Sequence, residues 1–412
     1  MSVCQQIARS VIQSVIDNLL GRSSEVDTLV FHALDDVDGT YVNDIIVGNG
    51  VLVTQDPFAY QTTRYFIGDT GVWLPYAPGV PAQVYAGGKW WLVSQNANVL
   101  GNLQIWSNDL TNAEWTASNM TVAKNAVGMT GAANEACTLT ATSANATVLG
   151  NVVTFGSNNF MTRWFIKRLT GTGTIEVTVN GGTAWQDVTT EVDSTAGFNE
   201  CLEGLLAFAN PQVGICIQTD TDAVIVGNSE LYGGAPAKPQ YIFKSSPIFT
   251  GDAAGKPYIA TSNSYVPSTN HSHTEGLWYC EIMNAGLNST TTALIISIGP
   301  QGEIIRQTAD GTSFESYDTG PTVVEGPAIT LAADETVYKV AVAYGSSLRS
   351  VATNGVWGTE GTYSGHFGAF DPDDLYVTDD SSPYTGTFYI RNVRRHNVSY
   401  ANALILGTTL TG

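Results

Sequence analysis

Charge is scarce in this chain: Asp, Glu, Lys and Arg make up 13% of its 412 residues, about half the share of an average soluble protein. Positive charge is scarcer still, with 17 Lys plus Arg against 37 Asp plus Glu and a formal charge of −20. Such a surface repels phosphate backbones and anionic leaflets, which argues against nucleic acid and membrane as partners. No apolar run approaches the ~20 residues of a membrane-spanning helix. The first residues lack the cationic start and cleavage pattern of a signal peptide, so synthesis in the cytoplasm without a secretion signal is expected. The cysteines, Cys4, Cys137, Cys201, Cys216 and Cys280, are odd in number, widely spaced and form no CxxC. That pattern supports neither a disulfide framework nor a zinc site, and they read as small buried or surface thiols. The five histidines, His32, His271, His273, His366 and His396, are too few and scattered to spell a catalytic triad. Nucleophile-elbow, HExxH, P-loop and dinucleotide fingerprints are also missing.

What remains is a chain rich in Gly, Thr and Asn, 43% hydrophobic, whose surface is hydrated by hydroxyls and amides. Its length accommodates two to four domains at roughly 100–200 residues each. The expected fold class is all-β, with tandem β-sandwich (jelly-roll) domains after a short N-terminal amphipathic helix and a small β domain. The helix is read over residues 1–21, where Val3, Ile7, Val11, Val15 and Leu19 are flanked by Ala8, Ile12, Ile16 and Leu20 and closed by Gly21. A helix of about five turns is not stable alone in water, so its apolar face must dock on this chain, on another protein or on copies of itself. Residues 22–100 read as the small β domain, with strands such as Thr28 to Phe31, Arg64 to Ile67 and Lys89 to Val93, and Ser94 to Gly101 as a linker. Residues 101–246 and 247–412 read as two sandwiches. Their clearest strands are Thr174 to Val179, Ala223 to Val226, Leu277 to Ile282, Ala293 to Ile298, Val337 to Ala343 and Phe388 to Val393. No fixed-period repeat marks a β-helix.

Three aromatic residues fall beside turns: Trp185 after Asn180-Gly181-Gly182, Trp357 after Asn354-Gly355, and Tyr363 between Gly361 and Gly365. A ring on a turn offers a flat face to the C–H side of a sugar, with Asn, Thr and Asp at hand for its hydroxyls. The competing reading is that each ring caps its own sandwich. Trp115, Trp164 and Trp278 lie within strand-like runs and read as core. Carboxylates cluster at Asp35, Asp36 and Asp38, and again at Asp371, Asp373, Asp374, Asp379 and Asp380. The second group could converge on Ca²⁺, the one cofactor with a candidate site, although acidic turns of this kind are commonly just solvated and the EF-hand Gly and closing Glu are missing. His271 and His273 alternate in a polar segment and read as a metal pair or as solvated side chains. Paired carboxylates hydrolyse a glycosidic bond only when about 5–9.5 Å apart, a distance outside the reach of sequence.

Ile105-Trp106-Ser107 to Trp115-Thr116, followed by Met120-Thr121-Val122-Ala123-Lys124-Asn125-Ala126, resembles the opening of carbohydrate-binding-module-like sandwiches in tailed-phage virion proteins. Leu231-Tyr232-Gly233-Gly234 and Tyr241-Ile242 resemble the exit of that module. The concanavalin A-like lectin sandwich that follows it in such proteins is similar to Leu277-Trp278-Tyr279-Cys280-Glu281, to the run Tyr338 to Tyr344 before an Asn-Gly hairpin, and to Gly386 to Arg394. Ser399 to Leu406 then resembles its short closing helix, with Tyr400-Ala401-Asn402-Ala403-Leu404 in place of the usual Leu-Ser-x-Ala-Glu-Leu. The resemblance covers about three quarters of the chain and carries no catalytic residue. It implies a non-enzymatic protein of the phage particle surface, made in the host cytoplasm, a tail fibre or appendage that binds host surface glycan. A head fibre or capsid decoration protein and a glycan-degrading tailspike are the alternatives. Other virion proteins are its implied partners through the N-terminal region, and a homotrimer is the expected assembly.

Overall fold

The computed structural model describes residues 63–77, 83–96, 101–233, 246–254, 275–286, 302–308, 312–317, 323–329, 336–345, 347–363, 386–396 and 399–412, with short strands at 30–31, 45–46, 263–265, 293–298 and 375–377. The chain is all-β, and the described parts of the strand runs named above fall in strands to within a residue at each end. The helix expected over 1–21 lies outside the described residues. Among those described, no helix is long and apolar enough to cross a membrane.

The middle sandwich packs two antiparallel five-stranded sheets. One runs in the order Gln186–Asp187, Ile175–Thr178, Gly214–Ile217, Ala146–Gly150, Trp115–Ser118. The other runs Asn199–Phe208, Asn158–Thr170, Ala223–Gly233, Ala136–Ala141, Met120–Ala126. Alternation drives the pairing, because each strand turns every second side chain inward. Val148, Ile175, Val177, Ile215 and Ile217 of the first sheet thereby meet Leu139, Phe160, Trp164, Ile166, Val224 and Val226 of the second. Trp115 and Trp164 are core, as expected, their rings 6.0 Å apart edge to face.

The run Phe160 to Ile166 is buried on both faces of its sheet, and two segments from elsewhere in the chain cover the outer one. The hairpin of Arg64–Ile67 and Trp73–Tyr76 sets Trp73 edge-on to Phe165 at 5.3 Å, and the Trp73 amide donates to the Met129 carbonyl at 2.9 Å. Residues 246–251 fold back beside it: the Tyr65 amide donates to Ser246 Oγ at 2.8 Å, the Ile248 amide to Glu230 Oε1 at 2.6 Å, and the Trp106 amide to the Gly251 carbonyl at 2.8 Å. Beneath them lies a charged pair with no exposure, Arg163 Nε standing 2.8 Å from Glu230 Oε2 as a close ion pair. Burial pushes the Glu230 carboxyl up, against the opposing pull of Arg163 and of hydrogen bonds from Tyr232 and Ile248.

The C-terminal sandwich contains, among the described residues, a six-stranded sheet and an eight-stranded sheet. The larger is centred on Val337–Gly345, Gly276–Gly286 and Gly386–His396, with Trp278 buried on it as expected. The helix Tyr400–Thr411 closes it by packing Tyr400, Ala403 and Leu406 on Leu277, Tyr279, Ala341, Ala343 and Ala352.

Two expected boundaries move. Lys89–Asn96 pairs with Gly386–His396, from Asn96 opposite Gly386 to Leu92 opposite Ile390, and Gln83–Ala86 extends the same sheet beyond it. The described residues 83–96 therefore belong to a sheet of the C-terminal region rather than to a separate small domain, and Ser94 to Asn96 are strand rather than linker. The division at 246/247 also shifts, since residues 246–251 complete the middle sandwich. In both cases the sequence displays local hairpins, while the sheet edge they join lies far along the chain.

The described cysteines, Cys137, Cys201, Cys216 and Cys280, are free and buried. Burial raises the pKa of each thiol, and Cys216 is pushed up to about 11 by burial and then by the Glu176 charge. All four remain protonated and unreactive.

Candidate glycan-binding face

The three turn-borne aromatics do not share a site. Tyr363 is 5% exposed, with its ring edge-on to Tyr344 at 5.4 Å. It is a core residue, and its expected stacking role is corrected on that ground. Trp357 lies against the C-terminal helix and packs on its apolar cluster, its Nε1 donating to Thr408 Oγ1 at 2.9 Å. A Cβ on Gly407 would stand 2.4 Å from Trp357 Cζ2, so the ring occupies the gap that glycine leaves. Helix docking, rather than sugar stacking, accounts for this Trp. The capping reading therefore holds for both residues of the C-terminal sandwich. Asp371, Asp373, Asp374, Asp379 and Asp380 lie outside the described residues, as do His271 and His273. Among the described residues no group of three His, Cys, Asp or Glu side chains is placed to hold a metal ion.

Trp185 is different. It is half-buried, and it sits at the end of the turn that joins Ile175–Thr178 to Gln186–Asp187. The turn is shaped by Gly181 and Gly182 at φ of 70° and 82°, a region that side chains with a Cβ rarely adopt. It is tied down from within: Thr178 Oγ1 donates to the Ala184 carbonyl at 2.7 Å, Asn180 Oδ1 accepts the Ala184 amide at 2.9 Å, and the Gly181 amide donates to the Gln212 carbonyl at 2.8 Å. The indole lies over Gly182, where a Cβ would come within 3.0 Å of Cζ2. A rigid turn thus holds a flat ring at the edge of the sheet, so little side-chain entropy is left to lose on stacking.

The outer face of that sheet carries two rows fixed by register. Asp187, Glu176, Cys216, Thr147 and Ser118 face one another across successive strands. Beside them run Thr178, Gly214, Leu149 and Thr116. Thr116, Ser118 and Asp187 are exposed, while Thr147, Leu149 and Glu176 are half-buried. Leu149 lies across Gly214, whose Cβ position would be 2.3 Å from Leu149 Cδ2. The face therefore combines a leucine with hydroxyl and carboxylate groups, and the Trp185 turn joins the two strands at its edge, a set of groups suited to a sugar ring. Thr189 donates to Asp187 Oδ1 from Oγ1 at 2.6 Å and from its amide at 2.9 Å, which holds the Asp187 carboxyl below its ordinary range. Gln218 Nε2 donates to Glu176 Oε2 at 2.7 Å. Sequence reasoning singled out Trp185 but not Glu176, Asp187, Thr147 or Leu149. Alternation marks each as outward, yet only the pairing order places them beside one another.

No family model matches the chain, and no curated protein matches it. Among solved structures it is similar to the C-terminal CBM6 of LamC, a laminarinase from Zobellia galactanivorans, at 8% identity and TM-score 0.23, over 33% of this chain and 99% of that one. It is similar to a putative carbohydrate binding protein from Bacteroides ovatus at 10% identity and TM-score 0.24, over 68% and 78% of the two chains. It is also similar to Trypanosoma rangeli sialidase at 8% identity and TM-score 0.28, over 83% of this chain and 65% of the sialidase, just under two thirds of that protein's length. Likenesses this slight carry no weight in deciding activity.

Proposed function

We propose that this chain is a non-enzymatic, glycan-binding structural protein of a tailed-phage particle, a tail fibre or similar surface appendage. The glycan-binding part is carried by Trp185, held flat over Gly182 at the edge of a sheet face lined by Thr147, Leu149, Glu176 and Asp187. The virion part is supported by the resemblance of residues 105–126, 277–281, 338–344 and 386–394 to phage fibre sandwiches. Attachment to other virion proteins and assembly as a homotrimer are assigned to the N-terminal region, whose 1–21 run has a wide apolar face. Sedimentation of the full chain as a monomer at micromolar concentration would overturn the assembly. No cofactor is needed for binding, and the loop Asp371 to Asp380 is the candidate place for a Ca²⁺ ion.

Trp185→Ala is expected to weaken glycan binding by about 1–3 kcal/mol, by analogy with stacking of bases on aromatics. Because the ring is half-buried at an edge, the melting temperature should change little. The same glycan, incubated with the wild-type chain, should show no release of reducing ends. Release would identify a glycan-degrading spike, and unchanged affinity of the Ala variant would move the site away from this face.

A further inference from the structure

We infer that the face around Trp185 selects sugars that donate hydrogen bonds and carry no negative charge, with amino sugars preferred; the inference rests on the glycan-binding reading above. The five strands of the sheet, with sequences QD, IEVT, GICI, ATVLG and WTAS, contain two carboxylates and no Lys or Arg. Those carboxylates, Glu176 and Asp187, are directly opposed on neighbouring strands. A like-charged cross-strand pair is unfavourable for the sheet, so its presence beside the ring calls for a charge or donors to meet it. Each carboxylate is steadied through one oxygen only, Asp187 Oδ1 by Thr189 and Glu176 Oε2 by Gln218. Among the described residues Asp187 Oδ2 and Glu176 Oε1 accept no hydrogen bond, which leaves two acceptors on the strand pair that the Trp185 turn joins. An ionised carboxylate only accepts, so the ligand must donate through hydroxyl or ammonium groups. A uronate or sialate ring stacked on Trp185 would bring its own carboxylate to a face that has no cation on its strands to meet it.

A glycan array of neutral, amino and acidic oligosaccharides, read at low salt with the full-length protein, tests this. Glucosamine oligomers should bind about tenfold more tightly than their N-acetylated forms, and the preference should fade as salt rises. Galacturonate and sialate oligomers should not bind. The double substitution Glu176→Gln/Asp187→Asn should abolish the amino-sugar preference while keeping binding to neutral sugars, and Trp185→Ala should weaken both. Binding of an acidic oligomer that Trp185→Ala weakens would overturn this inference and spare the glycan-binding reading. An amino-sugar preference that survives the double substitution would also overturn it. Silence across the whole array would overturn both.

Discussion

Replacing Glu230 by Ala is expected to lower the unfolding free energy by about 3–5 kcal/mol, the usual cost of breaking a buried ion pair from one side. Glu230 has no exposure and serves four partners: Arg163 at 2.8 Å, Asn228 Nδ2 at 2.8 Å, the Ile248 amide at 2.6 Å and the Tyr232 hydroxyl. The substitution takes the 2.8 Å carboxylate from a fully buried guanidinium, which then relies on contacts such as Glu200 at 3.5 Å and the Phe165 ring at 4.7 Å. It also removes the Ile248 hydrogen bond, one of several that hold residues 246–251, the segment in which Ser246 receives the Tyr65 amide of the covering hairpin. The loss should therefore reach beyond the pair and loosen the cover over Phe165 and Met129. Urea unfolding measures it, together with the double variant Arg163→Met/Glu230→Met, which should recover the part of the loss owed to the stranded guanidinium but not the part owed to the donors of Asn228, Ile248 and Tyr232. A single-variant loss below about 1 kcal/mol would mean that the pair is solvated.

Stability should also fall as pH rises from about 4.5 to about 7, through Glu203. This side chain is 6% exposed, its Oε2 has no hydrogen-bond partner among the described residues, and burial pushes its carboxyl from 4.5 up to about 7. Between those values the folded chain holds a proton that the unfolded chain has released, so the folded state loses ground with each rise in pH. Below about 4.5 both states are protonated and the group has no effect; above about 7 the whole cost is present, on the order of 2–3 kcal/mol. Glu203→Gln removes the titration. The stability difference between variant and wild type, taken at pH 4 and at pH 8, should therefore move in favour of the variant by that amount. A difference that stays constant across the window would place the Glu203 carboxylate in contact with water in the folded protein.

The middle sandwich was legible in outline because its strands alternate, and alternation is a local property of the chain. Thr174 to Val179 and Ala223 to Val226 show it, and their buried members Ile175, Val177, Val224 and Val226 are the core of the structure. The burial of Trp115, Trp164 and Trp278 was legible as well, since each lies within a strand-like run. The Asn354-Gly355 turn was legible too, because a two-residue type I′ hairpin loop requires positive φ at both positions, which Asn-Gly tolerates, and these stand at 47° and 84°.

Alternation does not say which strands become neighbours. Met161, Arg163 and Phe165 point away from the inter-sheet core and read as an outer face. They are buried because hairpin 64–76 and residues 246–251 return to cover them, and a Trp73 contact with Phe165 cannot be read from either local sequence. The turn-borne aromatics divide on the same ground. Trp185, Trp357 and Tyr363 have similar surroundings in sequence, but the C-terminal helix lies on Trp357 and Tyr344 lies against Tyr363. Strand character, hairpin positions, core tryptophans and net charge follow from composition and periodicity, which act over a few residues. Sheet order, the sharing of residues 63–77 and 83–96 between the two sandwiches, and the placing of Thr147 and Leu149 on the sheet that carries Glu176 and Asp187 depend on contacts between residues far apart in the chain, so folding alone brings them together.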